Sequence, residues 1–323
     1  MAVGEFELIA RWFTRPARRA VLGVGDDCAL WQPELGMQLA VSCDMLVEGR
    51  HFLPTVAPDR LGHKALAVNL SDLAACGATP RAFLLALAMP RVDEAFLDGF
   101  ARGLFALADE HGIELIGGDT TAGPLNLCVT VFGEVPSGQA LLRSGARAGE
   151  ALWVSHPVGG GLGDARLALE VFRGRVALDA EDFDAVRARM ERPTPRNALG
   201  VALRGLATSG IDLSDGLVGD LGHVLERSGV GATLWADALP ASRSVAALPT
   251  ALRRDCALAG GDDYELLFSA PAGCEAALHE AARAAGCAVT RIGRIDAEPG
   301  LRIVDANDVP LTQRFGAFDH FKA

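Results

Sequence analysis

The chain has 323 residues, half of them hydrophobic and 22% charged, which excludes a globally disordered protein and exceeds what one hydrophobic core comfortably contains. Its net charge of −11 excludes the basic surface that a nucleic-acid backbone requires, so we expect no nucleic-acid partner. No stretch approaches the roughly 18 consecutive apolar residues of a membrane span, so we expect no membrane partner either.

Hydrophobic periodicity predicts alternating strands and helices in the N-terminal half. Strands are predicted at 37–42, 83–88, 113–116 and 125–135, and helices at 59–77 and 93–112. The first strand leads to Asp44, which leaves it on the same face as Ser42. Asp93 is expected to cap the second helix and Gly112 to end it. The stretch Gly117-Gly118-Asp119-Thr120 is expected to be a loop between two strands.

The helix predicted at 59–77 is unusually apolar. In its central part, 65–75, the polar residues are Asn69, Ser71 and Asp72. A helix of this composition is expected to be buried, and these three side chains therefore need partners.

In the C-terminal half, a polar, glycine-bearing break at 143–149 marks the predicted domain boundary, with one domain at 1–146 and the other at 147–323. Strands are predicted at 151–155, 264–268 and 288–292, and helices at 164–173, 181–191, 196–208 and 274–286. Ser214 or Asp215 is expected to cap a further helix that runs to about Ser228. The glycine-rich stretch 159–163 is expected to be flexible. Strands that alternate with helices in both halves indicate an α/β or α+β fold.

Aspartates recur in six short clusters beside glycine or serine, each at the end of an apolar run. The clusters are Gly25-Asp26-Asp27, Ser42-Cys43-Asp44, Asn69-Leu70-Ser71-Asp72, Gly117-Gly118-Asp119-Thr120, Asp212-Leu213-Ser214-Asp215-Gly216 and Gly260-Gly261-Asp262-Asp263. Carboxylates gathered in one cleft repel each other by roughly 4 kcal/mol per close pair at an effective dielectric constant near 20, so cations must offset them. Hard oxygen ligands suit Mg²⁺, which also binds substrate phosphates. The pattern favours a phosphate-handling enzyme with several Mg²⁺ ions.

Taken one at a time, these clusters have simpler interpretations. Gly25-Asp26-Asp27 and Gly117-Gly118-Asp119 are typical of turns, and Asp215 is typical of a helix cap. Asp72 is harder to explain, because an aspartate in an alanine- and leucine-rich helix is costly to bury without a cation. The joint occurrence of all six clusters favours metal binding.

Other metal and nucleotide motifs are excluded. The chain has no GxxxxGK[ST] loop and no GxGxxG after a strand. The stretch from Asp212 fails as an EF-hand, because Gly216 comes too early and His223 stands where the bidentate glutamate belongs. Paired cysteine or histidine spacing typical of zinc sites is also missing. The seven cysteines are odd in number and have apolar neighbours, which indicates reduced thiols and a cytoplasmic protein. The opening residues lack a signal-peptide pattern, which supports the same expectation.

The ordered set of motifs resembles the thiamine-monophosphate kinase family, within the aminoimidazole ribonucleotide synthetase-like superfamily. The matching stretches are Gly25-Asp26-Asp27-Cys28-Ala29, Asn69-Leu70-Ser71-Asp72-Leu73-Ala74-Ala75, Gly117-Gly118-Asp119-Thr120-Thr121, Ile211-Asp212-Leu213-Ser214-Asp215-Gly216-Leu217, Gly260-Gly261-Asp262-Asp263-Tyr264-Glu265-Leu266 and Phe318-Asp319-His320-Phe321. The resemblance covers essentially the whole chain. It implies a two-domain α/β homodimer with an N-terminal mixed sheet that pairs across the interface and a C-terminal α/β domain. The N-terminal domain would bind ATP and Mg²⁺ and dimerise, and the C-terminal domain would bind substrate.

The resemblance also implies roles for individual residues. Several Mg²⁺ ions would be held by catalytic carboxylates and neighbouring oxygen ligands, namely Asp27, Ser42, Cys43, Asp44, Asp72, Asp119, Asp212 and Asp215. ATP, the co-substrate, would contact Gly118, Asp119, Arg143 and Ser214. Thiamine monophosphate would contact His51, Asp262 and Phe318.

Two positions depart from the family pattern. Cys43 stands where threonine is common, and a thiol is a poor Mg²⁺ ligand, so that contact must come from the backbone carbonyl or be lost. Asp262 stands where glutamate is frequent, and its side chain is one methylene shorter.

The expected function is ATP-dependent phosphorylation of thiamine monophosphate to thiamine diphosphate by direct in-line transfer, without a covalent enzyme intermediate. Three alternatives stay open. The first is another member of the superfamily that activates an amide, formyl or selenide oxygen with ATP. The others are a non-catalytic nucleotide- or divalent-binding dimer and a structural protein with acid-rich turns.

Overall fold

The computed structural model describes residues 4–316, which divide into two units. The first contains residues 4–73 and 78–138, and the second contains residues 74–77 and 139–316. The sequence-based boundary between residues 146 and 147 stays a prediction, as do the roles assigned to the two domains. Over residues 4–316, no helix combines the length and the apolar character needed to cross a bilayer.

The first unit is built on one mixed sheet. A short helix, α1 (Glu5–Leu8), continues into a π-helical turn at Ile9–Phe13. The remaining elements described in this unit are β1 (Met37–Val47), α2 (Pro58–Ala75), β2 (Thr79–Met89), α3 (Glu94–His111), β3 (Glu114–Ala122) and β4 (Asn126–Pro136). The strand order is β1-β4-β2-β3, in which β2 and β3 are parallel and the other pairs antiparallel. The predicted mixed N-terminal sheet is confirmed.

Strand β1 is longer than its predicted range. It pairs with β4 along its whole length, from Met37 opposite Pro136 to Val47 opposite Asn126. Its alternating pattern places Ser42, Asp44 and the buried Leu46 on one face. The opposite face is exposed although it carries apolar side chains: Leu39 is 45%, Val41 54% and Met45 55% exposed. The period of two therefore sorts the strand into a polar-bearing inner face and an apolar outer face.

Helices α2 and α3 cross at glycines. A Cβ on Gly62 would lie 2.1 Å from the Phe100 carbonyl oxygen, and one on Gly103 would lie 1.8 Å from the Asp59 carbonyl oxygen. The two backbones are therefore closer than any side chain would permit. The ends of α3 are as predicted: Asp93 Oδ1 accepts from the amide of Phe96, and Gly112 ends the helix with φ of 60°.

The predicted loop at Gly117-Gly118-Asp119-Thr120 is wrong. Strand β3 continues through these residues and pairs with β2, with an irregularity between Phe83 and Leu84. A Cβ on Gly118 would lie 1.9 Å from the Leu85 carbonyl oxygen, so close strand approach requires this glycine. Glycine and aspartate favour turns locally, but pairing with a neighbouring strand outweighs that preference here.

The second unit is a six-stranded sheet with helices on both faces. Its elements are β5 (Ala151–His156), α4 (Asp164–Phe172), α5 (Ala180–Glu191), α6 (Asn197–Ala202), β6 (Ser209–Asp212), α7 (Leu217–Ser228), β7 (Gly231–Trp235), α8 (Arg243–Ala246), α9 (Thr250–Ala259), β8 (Leu266–Ala270), α10 (Glu275–Ala284), β9 (Ala288–Asp296) and β10 (Gly300–Val304). The strand order is β10-β7-β9-β5-β8-β6, with β10 and β7 parallel and the other neighbours antiparallel.

The two faces of this sheet bury separate cores. Leu152 and Val154 of β5 pack in a cluster that contains residues of α7 and α9, whereas Ala151 and Trp153 pack in a cluster that contains residues of α6 and α10. Alternate residues of one strand thus face opposite helical layers. The predicted C-terminal α/β domain is confirmed.

The glycine-rich stretch 159–163 is packed rather than flexible at its C-terminal end. Gly161, Leu162 and Gly163 are buried. A Cβ on Gly161 would lie 2.3 Å from backbone atoms of Ala241, and Gly163, with φ of 87°, lies against the backbone of Cys256. Close backbone packing explains these two glycines.

Candidate functional site

The predicted site residues of the first unit are organised by β1 and α2. The Ser42 hydroxyl donates to Asp72 Oδ2 at 2.5 Å, and the amide of Asp44 donates to Asn69 Oδ1 at 2.9 Å. Asn69 is fully buried, and its Nδ2 donates to the carbonyl oxygen of Ala65 within the helix. The prediction that the polar residues of this helix need partners is confirmed for Asn69 and Asp72. These bonds place Asp72 of α2 next to Ser42 and Asp44 on the inner face of β1.

Cys43 does not share that face. Its Sγ lies 3.3 Å from Cys128 Sγ on the exposed side of the sheet, where Thr130 Oγ1 also contacts it at 3.4 Å. Burial, followed by the contact with Cys43, raises the pKa of Cys128 to about 11. Successive residues of a strand point to opposite faces, so the Cys43 thiol cannot bind an ion held by Ser42 and Asp44. A contact of Cys43 with Mg²⁺ would therefore come from its backbone carbonyl or be lost, as the sequence predicted.

The other predicted residues of this unit are more dispersed. Asp119 is exposed on β3, and Asp27 is exposed in an irregular segment where its amide donates to Asp26 Oδ1. His51 follows β1; its Nδ1 accepts from the amide of Val47, and Lys64 Nζ donates to its carbonyl oxygen. Hydrogen bonds therefore link the strand that carries Asp44 to the helix that carries Asp72, whereas Asp27 and Asp119 are exposed elsewhere in the unit.

In the second unit, backbone hydrogen bonds join two of the predicted aspartate clusters, the one at 212–216 and the one at 260–263. The amide of Leu213 donates to the Glu265 carbonyl oxygen, and the amide of Tyr264 donates to that of Leu213. The amide of Asp262 donates to the Ser214 carbonyl oxygen at 3.0 Å. These bonds extend the pairing of β6 with β8 beyond Asp212. Asp212, Ser214, Asp215 and Asp262 are thus brought together.

The loop that carries Asp262 is strained. Asp262 has φ of 66° and Tyr264 has φ of 50°, both in the left-handed region that costs non-glycine residues free energy. The Tyr264 hydroxyl donates to Asp262 Oδ1 at 3.0 Å. Tyrosine occurs once in the chain, and here it orients a predicted substrate-binding carboxylate.

A buried ion-pair network fixes this loop to the sheet. Glu265, fully buried, accepts from Arg196 at 2.7 and 2.6 Å, from Arg189 at 3.0 Å and from Ser155 Oγ at 2.6 Å. The Ser155 hydroxyl oxygen in turn accepts from the amide of Leu266. A buried carboxylate with this many charged donors locks neighbouring elements in one arrangement.

Asp220 is a residue that the motif analysis missed. Its Oδ2 accepts from the amides of Asp215 and Gly216, both at 3.1 Å. The predicted cap by Ser214 or Asp215 is therefore wrong: Gly216 is the N-cap residue, and neither neighbour caps α7 through its side chain. Burial, followed by the charge of Asp215, raises the pKa of Asp220 to about 7. The sequence contained a clue to this residue: at helical spacing, Asp220 lies on the apolar face formed by Leu217, Leu221 and Val224, so a buried carboxyl group could be expected there.

Arg143 and Phe318 are the remaining residues predicted to contact ligands. The Arg143 side chain is exposed, and its carbonyl oxygen accepts from Ser228 Oγ at the end of α7. Phe318 and the stretch Phe318-Asp319-His320-Phe321 lie outside the described residues 4–316.

The oxygen donors fit Mg²⁺ by their chemistry. Among residues 4–316, no three or more histidine, cysteine, aspartate or glutamate side chains form a group that could hold a metal ion. Mg²⁺ requires fewer protein ligands, because it keeps several waters and binds through one or two carboxylates plus substrate phosphates. The hydroxyl of Ser42 and the carboxylates of Asp44 and Asp72 are all hard oxygen ligands, and the Cys43 thiol faces away from them.

Comparison with known proteins matches each half of the chain to a known domain family. Residues 25–135 match the AIR synthase related protein N-terminal domain, and residues 147–306 match the corresponding C-terminal domain. The thiamine-monophosphate kinase of Salmonella typhimurium LT2 is 46% identical over 329 residues, which cover 99% of each chain.

Solved structures of thiamine-monophosphate kinases are similar to this chain in fold. The thiamine-monophosphate kinase of Stenotrophomonas maltophilia K279a has a TM-score of 0.84 and 45% identity, covering 94% of this chain and 97% of that one. The structure of AaThiL complexed with AMPPCP and TMP has a TM-score of 0.76 and 28% identity, covering 90% of this chain and 89% of that one. The chain belongs to the thiamine-monophosphate kinase family of AIR synthase related proteins.

Proposed function

We propose that the chain transfers the γ-phosphoryl group of ATP to thiamine monophosphate, forming thiamine diphosphate and ADP. The observation that carries this proposal is 46% identity over 99% of the chain to a thiamine-monophosphate kinase. A 28% identical relative of the same fold has been solved with AMPPCP, an ATP analogue, and TMP, which supports both substrates. In this proposal the cofactor is Mg²⁺ and the co-substrate is ATP.

The reaction is a direct in-line displacement. A phosphate oxygen of thiamine monophosphate forms a bond to the γ-phosphorus of ATP while the bond from that phosphorus to the β–γ bridging oxygen breaks, and ADP leaves. The attacking oxygen is already anionic near neutral pH, so no strong general base is required. Catalysis then depends on positioning and charge neutralisation. Bound Mg²⁺ would supply that neutralisation for the two polyanions.

In the first unit, the proposed metal ligands are Asp27, Asp44, Asp72, Asp119, Ser42 and the Cys43 carbonyl. The bonds from Ser42 to Asp72 and from the Asp44 amide to Asn69 support this assignment, because they hold oxygen donors in fixed places before any ligand arrives. Gly118 and Asp119 would contact ATP, and His51 would contact thiamine monophosphate.

In the second unit, Asp212 and Asp215 are proposed metal ligands, and Ser214 and Arg143 would contact ATP. Asp262 would meet the amino-bearing or cationic part of thiamine, with Tyr264 holding its carboxylate in place. Phe318, outside the described residues, would stack on a thiamine ring.

A homodimer is part of the proposal. The exposed apolar face of β1, made by Leu39, Val41 and Met45, supports it, because apolar sheet faces of this kind are typical of interaction surfaces. A cytoplasmic location is also proposed, and the seven free cysteines support it.

The test is an assay of product formation. Purified protein with ATP, MgCl₂ and thiamine monophosphate should form thiamine diphosphate, identified by mass. Asp72→Asn and Asp215→Asn should each lower kcat/KM by at least about tenfold, since even outer-shell partners of metal sites cost that much. Asp184→Asn, on an exposed position of α5, is the matched control and should keep wild-type activity.

Two results would contradict the proposal. No thiamine diphosphate under any Mg²⁺ concentration would reject the function, and turnover with an amide, formyl or selenide substrate instead would favour another superfamily reaction. Full activity of either aspartate variant would reject the metal assignment at that position only.

A further inference from the structure

We infer that Asp220 is a positioning residue that holds the 214–216 loop, and with it Asp215, in the geometry needed to bind Mg²⁺ and nucleotide. The inference rests on the proposed function and extends it to a residue outside the aspartate motifs. Asp220 acts through the backbone of the loop and does not itself contact substrate.

The contacts are specific to this loop. Asp220 lies in the first turn of α7 and is 3% exposed, yet its carboxylate accepts from the amides of Asp215 and Gly216 at 3.1 Å each. Two successive amides directed at one carboxylate resemble the concave arrangements that elsewhere bind anions, and here a side chain of the protein itself occupies the position.

The loop is consequently held from two sides. On one side its carbonyl oxygen at Ser214 accepts from the amide of Asp262. On the other side Asp220 accepts from its amides. Gly216, with φ of 109°, turns the chain into α7 against the backbone of Ala259 and Gly260. Both faces of the backbone are bonded, so the side chains of Ser214 and Asp215 are the loop's remaining half-exposed groups.

A purely structural cap would not need this residue. Serine, threonine or asparagine satisfies helix N-terminal amides without burying a charge next to another carboxylate. Asp220 instead extends its carboxyl group from the first turn of α7 back to the amides of Asp215 and Gly216. Because one of these amides belongs to Asp215, a proposed Mg²⁺ ligand, the contact ties Asp220 to the metal-dependent function.

The experiment compares Asp220→Ala, Asp220→Asn and Asp220→Glu with wild type, and uses Glu226→Gln as the matched control because Glu226 is an exposed acid on the same helix. Two quantities are measured. One is the MgCl₂ concentration that gives half-maximal rate at saturating ATP and thiamine monophosphate. The other is the rise in melting temperature on adding AMPPCP with MgCl₂, which does not depend on turnover.

Asp220→Ala should raise the half-maximal MgCl₂ concentration by about tenfold or more, the fold-change for losing charge-assisted hydrogen bonds. It should also remove most of the AMPPCP-dependent rise in melting temperature. Asp220→Asn should recover part of both quantities, because its amide oxygen still accepts hydrogen bonds. Glu226→Gln should match wild type.

Unchanged Mg²⁺ dependence and an unchanged melting shift in Asp220→Ala would overturn the inference. If the alanine variant does not fold, Asp220→Glu carries the test, since glutamate keeps the carboxyl group but its extra methylene displaces the oxygens. A raised Mg²⁺ requirement in that variant would support the inference, and wild-type values would overturn it. Failure of the proposed function is seen separately, as absence of thiamine diphosphate with wild-type protein, and the AMPPCP melting shift still tests Asp220 in that case.

Discussion

Neighbouring aspartates in this chain have very different surroundings. Asp262 is half-buried and bonded to Tyr264, whereas Asp263, the next residue, is buried. Asp263 Oδ1 accepts from the amide of Gly163, and its Oδ2 has no hydrogen-bond partner among the described residues. The groups that face it are the negative Asp164 and Glu265 and the positive Arg189. Burial above all raises the pKa of Asp263 well above 3.8.

This shift predicts a pH-dependent stability. Between pH 3.8 and the folded-state pKa, folded Asp263 keeps a proton that the unfolded chain has released. The associated stability is complete below pH 3.8 and is lost as pH rises through the folded-state pKa. Asp263→Asn cannot titrate. The unfolding free energy of this variant minus that of wild type should therefore increase by up to about 1.4 kcal/mol per pH unit in that window. Urea titrations from pH 4 upward measure this difference, and parallel pH profiles for the two proteins would contradict it.

At the scale of elements, glycines decide where helices meet. Gly103 lies in the middle of α3, where alanine would normally favour the helix by about 1 kcal/mol. The Asp59 carbonyl oxygen of α2 would lie 1.8 Å from its Cβ, a separation that both backbones would have to relieve. Gly222 lies in the middle of α7 and has no atom within 4 Å of a Cβ position.

The two glycines should therefore respond oppositely to alanine. Gly103→Ala should lower the unfolding free energy by about 1–3 kcal/mol, because overpacking exceeds the gain in helix propensity. Gly222→Ala should raise it by up to about 1 kcal/mol. Urea titration of both variants provides the measurement. A stabilised Gly103→Ala would contradict the close approach of the α2 and α3 backbones at this glycine.

At the scale of the whole molecule, the exposed apolar face of β1 is the feature that a single chain leaves unexplained. An interface of standard size buries roughly 800 Å² per partner, and its centre is depleted in charge. Leu39, Val41 and Met45 lie on the outer face of β1, which carries no charged side chain, and they suit such a centre.

Wild-type protein should therefore have twice the 33.8-kDa chain mass in solution, measured by light scattering after size exclusion. Val41→Glu should give the monomer mass, because a charge at the centre of the interface is costly to desolvate. Val309 is 55% exposed against 54% for Val41, so Val309→Glu is the matched control and should stay dimeric. A monomeric wild type, or a dimeric Val41→Glu, would reject this interface.

Much of the fold and part of the site follow from local patterns. The caps of α3 at Asp93 and Gly112 are determined by side-chain and backbone preferences within a few residues, and the sequence predicted both. The burial of α2 and the need of Asn69 and Asp72 for partners also follow from composition alone. The same is true of the alternation in β1 that separates Cys43 from Ser42 and Asp44.

Other features depend on contacts that no local pattern contains. Gly117 to Thr120 read as a loop, yet pairing with β2 makes them strand, because hydrogen bonds to a neighbour distant in sequence outweigh turn preference. The 231–235 and 300–304 strands, which carried no prediction, exist because they pair with one another. Asp220 caps its loop rather than Ser214 or Asp215, since the burial of α7 directs that carboxylate toward the amides. The sequence by itself determined the family and its set of acidic residues, whereas the tertiary structure decided which side chains share a face and which backbone groups they hold, because long-range pairing and burial set those positions.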